Sequence, residues 1–245
     1  MKVKIFFLIS LIFTYRFSYG TVEVKIDKIQ GQVQVRRGVE EEWTPAGINM
    51  VLKDIDTILT GETGVVVLSI EKGMVFTLGS NSILDIGDLR EITKDELFLY
   101  LTSQKVKNLQ KINEPTNIHI ENVSVVRAEQ KSLEKEAVIP DKNSEIKVFE
   151  INGAKALFQQ EYYTNSIMKF YQILESYSEL NKRGEIYYYL GCSFESIHEY
   201  GRARDAYEIA RQEFKNSENT DPNTQLLEKK SEEASERIKA REQEK

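Results

Sequence analysis

The chain of 245 residues contains one cysteine, Cys192, and two histidines, His119 and His198. A single cysteine excludes an internal disulfide, so the stability of the folded chain must come from burial of apolar side chains. Structural metal sites take several Cys or His ligands at short spacings, and the sequence has no such spacing. We therefore expect no metal site and no cofactor.

Basic residues are fewer than acidic ones, and they are not clustered. The sequence has 33 basic and 39 acidic residues, a formal net charge of −6. Nucleic-acid phosphates and anionic lipid surfaces both require clustered Lys and Arg, and no such cluster is present. The composition predicts that neither nucleic acid nor an anionic membrane surface is a partner.

Motifs of catalysis are missing as well. The sequence has neither a Gly-x-Ser-x-Gly nucleophile turn nor a Gly-rich phosphate loop. Cys192 follows Gly191 in a predicted helix and has no nearby histidine to activate it, so we expect a buried, inert thiol. We predict no catalytic residues and a protein that is not an enzyme.

The only long apolar run lies at the N-terminus. Lys2 and Lys4 precede the run Ile5–Phe13, and Ser18 and Gly20 are the small residues expected at a cleavage site. Since the run is short for a membrane span, the pattern predicts a secretory signal peptide over residues 1–20, cleaved after Gly20. Its removal would take three positive charges from a chain of formal net charge −6, leaving −9. An uncleaved anchor in the inner membrane is the alternative.

Alternating β-branched and apolar residues dominate from Val22 to Ile86. Short runs such as Val65–Ile70 are separated by Gly, Asn and Asp, which is typical of an antiparallel β domain. Lys72-Gly73, between two such runs, predicts a tight hairpin.

Within this β region the motifs follow one another in a recognisable order. They are Gly31-Gln32-Val33, Trp43-Thr44-Pro45-Ala46, Asp56…Thr60-Gly61, Leu68…Gly73 and Asn81-Ser82-Ile83-Leu84. This arrangement resembles the FecR domain. The resemblance implies an exported β module over residues 21–129, with later strands at Leu97–Leu101 and within Ile118–Arg127.

Two positions depart from the FecR pattern. Ile55-Asp56 stands where the family has Gly-Asp, and Val126-Arg127-Ala128-Glu129 stands where it has a closing Val-Arg-Gly-Thr.

The segment that follows, residues 130–144, is charged and contains Pro140-Asp141, a composition that favours an exposed linker. Without a large apolar interface, the two halves would be expected to move relative to each other.

The C-terminal half has the spacing of a helical repeat. Tyr187, Leu190, Gly191 and Phe194 fall on one predicted helix, followed on a second by Ala203, Tyr207 and Ala210. This is the large–small pattern of the tetratricopeptide repeat. A weaker copy precedes it, carried by Ala154, Leu157, Tyr163, Ser166, Phe170 and Ile173.

We therefore predict two tetratricopeptide-like repeats within residues 145–215. A charged capping helix should follow over residues 221–245, beginning with Asp221 as N-cap and Pro222 in the first helical position. The fold class expected is a two-domain α+β chain, with an all-β FecR-like domain followed by an all-α repeat domain.

The tetratricopeptide resemblance also implies a binding groove, lined by the first helix of each repeat. Transferred to this sequence, the groove positions are Lys155, Phe158, Gln159, Glu185, Tyr188, Cys192, Glu195 and Ser196. The leading hypothesis is a non-enzymatic scaffold in the periplasm of a double-membraned bacterium that binds a protein or peptide partner. Two alternatives stay open: a peptidoglycan-associated protein whose β domain grips the cell wall, and a sensor in an envelope signalling relay.

Overall fold

The computed structural model describes residues 23–70, 73–113, 143–177, 183–216 and 221–243. The predicted signal peptide, the strands predicted within 118–127 and residues 130–142 of the linker predicted over 130–144 lie outside the described residues, whereas residues 143–144 already belong to a helix. The described part has a β-sheet region over residues 24–85 and six α-helices in the C-terminal part. The α+β class is the one predicted from the sequence.

The β region consists of short antiparallel strands. They are β1 (Val24–Gln30), β2 (Val33–Arg36), β3 (Trp43–Pro45), β4 (Val51–Leu52), β5 (Thr57–Thr60), β6 (Val65–Ile70), β7 (Val75–Leu78) and β8 (Ser82–Asp85). They form two four-stranded sheets with the strand orders β4-β1-β6-β7 and β3-β2-β5-β8. The predicted hairpin is confirmed, since β6 pairs with β7 and Gly73 between them has a φ of 78°.

The two sheets share one apolar core. Val24 and Ile26 of the first sheet belong to the same buried cluster as Val33 and Val35 of the second. A cluster with side chains from both sheets means that the sheets pack face to face as a sandwich. A register shift between Ile26 and Lys28 marks a β-bulge, where the strict alternation of β1 ends.

Asp56, in the turn before β5, organises the loops at one end of the sandwich. The residue is 3% exposed. It accepts hydrogen bonds from Arg37 Nη1 at 2.6 Å, Lys53 N at 2.9 Å and Gly38 N at 3.0 Å. Burial raises the pKa of Asp56, but these hydrogen bonds outweigh it and hold the pKa below its usual value.

The prediction of a strand at Leu97–Leu101 is wrong, because these residues lie in helix α1 (Lys94–Asn113). Leu97 and Leu101 are one helical turn apart and both belong to the helical core. Thr93 Oγ1 accepts a hydrogen bond from Glu96 N at 3.2 Å. Thr93-Lys94-Asp95-Glu96 is therefore a helix-start signal that the family pattern obscured.

The remaining helices follow in close succession. They are α2 (Asn143–Gln159), α3 (Tyr163–Ser176), α4 (Arg183–Ser196), α5 (Tyr200–Asn216) and α6 (Pro222–Gln243). Neighbouring helices pack against each other along the series. The predicted start of α6 is confirmed: Asp221 Oδ1 accepts hydrogen bonds from Asn223 N at 2.8 Å and Thr224 N at 3.0 Å.

Helix α2 lies against the sandwich at the edge strands β7 and β8. The Gln160 side chain, just after α2, pairs with both backbone groups of Thr77 in β7: its Oε1 accepts from Thr77 N at 2.7 Å and its Nε2 donates to Thr77 O at 2.8 Å. Asn152 Nδ2 donates to Asn81 O at 2.7 Å, just before β8. These contacts cover sheet edges that would otherwise present unpaired backbone groups.

Apolar packing completes this junction between sandwich and helices. Ala156 and Leu157 of α2 belong to the sandwich core, and Tyr162 meets Phe76 edge-on at a ring distance of 5.7 Å. Gly153 lies directly over the Ile83 carbonyl. The expectation that the two halves lack a substantial interface is therefore not met, because α2 contributes to both the sandwich core and, through Ile151 and Ala154, the helical core.

Candidate functional site

Small residues allow α4 and α5 to approach closely. A Cβ atom at Gly191 would lie 2.6 Å from the Tyr207 ring, and one at Gly184 would lie 2.7 Å from the Phe214 ring. Ala203 and Ala210 are fully buried in α5. The positions predicted to carry small residues are those where the two helices meet. Another face of α4 does not pack against α5.

That face opens into a pocket of about 430 Å³ formed by α2, α4, α5 and α6. Its walls combine aromatic rings with charged and small polar groups. The lining residues are Phe158, Tyr188, Cys192, Glu195, Ser196, Tyr207, Lys230, Glu233, Ala234 and Arg237. The pocket therefore combines an aromatic wall with charged and small polar groups.

Glu195 is the polar centre of the pocket. Its Oε2 accepts a hydrogen bond from the Tyr207 hydroxyl at 3.0 Å. Arg237 Nη2 lies 2.9 Å from Oε1 and 2.8 Å from Oε2. The carboxylate thereby ties α4 to α5 and to α6, and its hydrogen bond raises the pKa of the Arg237 guanidinium.

Burial and the neighbouring thiol raise the pKa of the Tyr207 hydroxyl, so it acts as a hydrogen-bond donor at neutral pH. Cys192 Sγ lies 3.4 Å from the same hydroxyl. Burial also raises the pKa of the Cys192 thiol, which disfavours the thiolate that a nucleophile would need.

The structure brings five of the predicted groove residues to this pocket: Phe158, Tyr188, Cys192, Glu195 and Ser196. Three others do not line it. Lys155 Nζ and Glu185 Oε1 form an ion pair at 2.8 Å, and the same ammonium lies 5.2 Å from the centre of the Tyr189 ring. Gln159 is exposed.

Sequence reasoning missed the part of the pocket contributed by α5 and α6. The repeat spacing predicts Tyr207 as a packing residue between the two helices and not as part of the groove. Lys230, Glu233, Ala234 and Arg237 belong to the predicted capping helix, and the sequence does not show the register in which that helix meets α4. The available signal is a thin apolar stripe in the sequence of α6, formed by Leu226, Leu227, Ala234 and Ile238.

His198, the histidine within the described residues, belongs to no candidate site. His198 is exposed with a φ of 67°, and its Nδ1 lies 3.1 Å from the Tyr200 hydroxyl. His119 lies outside the described residues. Among the residues that the structure describes, no group of three or more His, Cys, Asp or Glu side chains is placed to hold a metal ion. Within the same ranges, no helix has the length and apolar character needed to cross a membrane.

Comparison with known proteins identifies no relative: no family model, no curated protein and no solved structure matches the chain.

Proposed function

We propose that the chain is a non-enzymatic, exported interaction protein of the cell envelope that binds a protein or peptide segment in the groove formed by α2, α4, α5 and α6. The observation that carries the proposal is the open pocket of about 430 Å³, with Phe158 and Tyr188 as aromatic wall and Glu195 as polar centre. Aromatic side chains beside fixed charged groups are typical of surfaces on which binding energy concentrates.

The sequence motifs support the identity of the two parts. The Gly31, Asp56 and Asn81 motifs fall at the turns of a small antiparallel sandwich, as a FecR-like module requires. Gly191 and Ala203 lie where α4 and α5 are in closest contact, as a tetratricopeptide-like pair requires. Because α2 is anchored on the sandwich, we propose a single unit that presents the groove in a fixed orientation, rather than two modules on a tether.

The test compares two tryptophan substitutions on exposed helical positions. Ser196→Trp places a large ring at the rim of the pocket, whereas Gln212→Trp adds the same ring on α5 away from it. Full-length wild-type and variant chains would be immobilised and exposed to envelope extracts, and the retained proteins quantified by mass spectrometry.

The proposal predicts a defined partner retained by the wild type and by Gln212→Trp but lost with Ser196→Trp. Retention of the same proteins by all three chains would contradict a groove-based function. Sedimentation of all three chains with purified cell-wall sacculi, with no protein partner, would instead favour the peptidoglycan alternative.

A further inference from the structure

A buried ammonium group lies where the helices meet the sandwich. Lys169 of α3 is 6% exposed. Its Nζ lies 2.6 Å from Asp85 Oδ2, at the end of β8, and 3.0 Å from Asp88 Oδ2, in the 3-10 turn Ile86–Leu89. One positive charge therefore faces two carboxylates in a poorly solvated place, where unbalanced charge is costly.

The first of these carboxylates is well suited to remain ionised. Asp85 accepts a hydrogen bond from Lys169 Nζ through Oδ2 and one from Thr57 Oγ1 at 2.8 Å through Oδ1. Its side chain is 46% exposed. Partial burial raises the pKa of Asp85, but the charge of Lys169 and these hydrogen bonds outweigh it and lower the pKa.

The second carboxylate is in the opposite situation. Asp88 Oδ2 is shielded from solvent, and Lys169 Nζ, 3.0 Å away, is its one ion-pair partner among the described residues. Burial raises the pKa of Asp88 above its usual value, and the neighbouring charge of Asp85 adds to the increase. Arg90, the other nearby cation, is engaged by Glu96.

The backbone holds Asp88 in this position. Asn165 Nδ2 of α3 donates to Asp88 O at 2.7 Å and to Arg90 O at 2.8 Å. The same face of α3 thus fixes the turn and presents the ammonium. These two hydrogen bonds fix the backbone of the turn from which the Asp88 side chain extends.

Glu150 adds a third carboxylate to the cluster, and Arg36 adds a cation at its edge. Glu150 of α2 interacts electrostatically with Lys169 and with both aspartates, and burial raises the pKa of its carboxyl group. Tyr177 is a hydrogen-bond partner of Glu150, and burial raises the pKa of the Tyr177 hydroxyl to about 12. Arg36 of β2 reaches the cluster through Thr57 Oγ1, 3.3 Å from its Nη2. Three carboxylates therefore share one buried ammonium.

We propose that this cluster makes the junction between sandwich and helices responsive to pH: a proton taken up by Asp88 in weak acid tightens the attachment of α2 and α3, whereas protonation of Asp85 in stronger acid loosens it. The excess negative charge is removed in the first step and the principal ion pair in the second. Because α2 also supplies Phe158 to the groove, the same cluster sets how firmly the groove is held on the sandwich.

The signs follow from linkage between protonation and stability. A carboxyl whose pKa is raised by folding, as for Asp88, adds stability that is fully present below its unfolded pKa and is lost as pH rises through the folded pKa. Asp85, whose pKa is lowered, adds stability above its unfolded pKa that is lost as pH falls through the folded pKa. The junction is therefore most stable between the two folded pKa values.

The test is amide hydrogen exchange on the full chain, corrected for intrinsic rates, at about pH 7.5 and about pH 5.5. Both pH values lie above the usual pKa of an Asp or Glu carboxyl, so that among the carboxyl groups of the cluster only Asp88 and Glu150, whose pKa values are raised, can take up a proton between them. The peptides of interest cover residues 83–90 and 153–169. Asp88→Asn mimics the protonated side chain, Asp85→Asn removes the principal ion pair, and Asp205→Asn changes an exposed carboxylate of α5 that is not part of the cluster.

At the lower pH, these peptides should exchange more slowly in the wild type and in Asp205→Asn. The exchange rate should fall roughly tenfold for each unit by which folding raises a carboxyl pKa within this pH range. Asp88→Asn should be protected already at the higher pH and show a flatter profile. Asp85→Asn should be less protected at both pH values. Equal exchange of the wild type at the two pH values would overturn the proposal. So would an Asp88→Asn variant that keeps the full pH dependence, or one that is less protected than the wild type at the higher pH.

Discussion

Gly153 of α2 and Ile83 of β8 are in backbone contact: a Cβ atom at position 153 would lie 1.9 Å from the Ile83 carbonyl oxygen. This contact places helix α2 directly on an edge strand of the sandwich. The sequence suggests two modules joined by a linker, whereas the two parts pack against each other through α2.

Gly153→Ala should destabilise the protein by about 1–3 kcal/mol, because the obstacle is a backbone carbonyl that cannot rotate away. Urea denaturation of the full chain measures the loss. Gly201→Ala, in α5 with open space around its Cβ position, is the matched control and should be neutral or stabilising by about 0.5 kcal/mol. Equal stability of Gly153→Ala and wild type would show that α2 is not held at this distance.

Gln160→Ala should expose the edge of β7. The substitution removes the two hydrogen bonds to the backbone of Thr77, at 2.7 and 2.8 Å, and should cost about 0.5–1 kcal/mol because water can partly replace them. The more specific readout is faster hydrogen exchange of the Thr77 amide. Gln159→Ala, one residue earlier and exposed, should leave that amide unchanged; equal effects from both variants would contradict the edge contact.

Gly191→Ala should force the Tyr207 ring away from α4. The ring atoms lie 2.6 Å from the position of the added methyl group, and Tyr207 is 2% exposed, so we expect a loss of about 1–3 kcal/mol. Thermal unfolding of the full chain measures the loss. A variant with the wild-type melting temperature would contradict the tight packing of α4 against α5.

Asp56→Asn should destabilise the sandwich at neutral pH by about 1.5–3 kcal/mol, since three donors lose their anionic acceptor. Because folding lowers the pKa of Asp56, its contribution is present above the unfolded value of 3.8 and is lost as pH falls through the folded pKa. The difference in unfolding free energy between wild type and variant should therefore narrow at about pH 3. A difference that stays constant between neutral and acidic pH would mean that the charge of Asp56 is not what stabilises the turn.

The parts of the fold that the sequence predicts correctly are those encoded by local spacing. The alternation in Val65–Ile70 indicates a strand, and the spacing of Gly191, Ala203 and Tyr207 indicates a pair of closely packed helices. Helix α1 was missed although Thr93 and Glu96 mark its start, because the FecR pattern led us to expect a strand there.

The junction could not be predicted, because it depends on partners far apart in sequence. Nothing near Lys169 indicates that its partners are Asp85 and Asp88, and a buried lysine cannot be distinguished from a surface one by local pattern. For the same reason, the sequence predicts only the groove residues contributed by α2 and α4. Phe158 and Tyr188 follow from the repeat register, whereas the approach of Arg237 to Glu195 is set by how α6 packs.

The most direct test of the central claim, that the groove binds a partner, is site-specific photo-cross-linking in living cells. A photoreactive phenylalanine analogue would replace Tyr188, which lines the pocket, and in a matched chain Tyr187, which lies on the same helix outside the pocket lining. We predict one discrete protein adduct at position 188 that is absent at position 187 and is lost when Ser196→Trp is added. No adduct at 188, or the same adducts at both positions regardless of Ser196→Trp, would contradict the account.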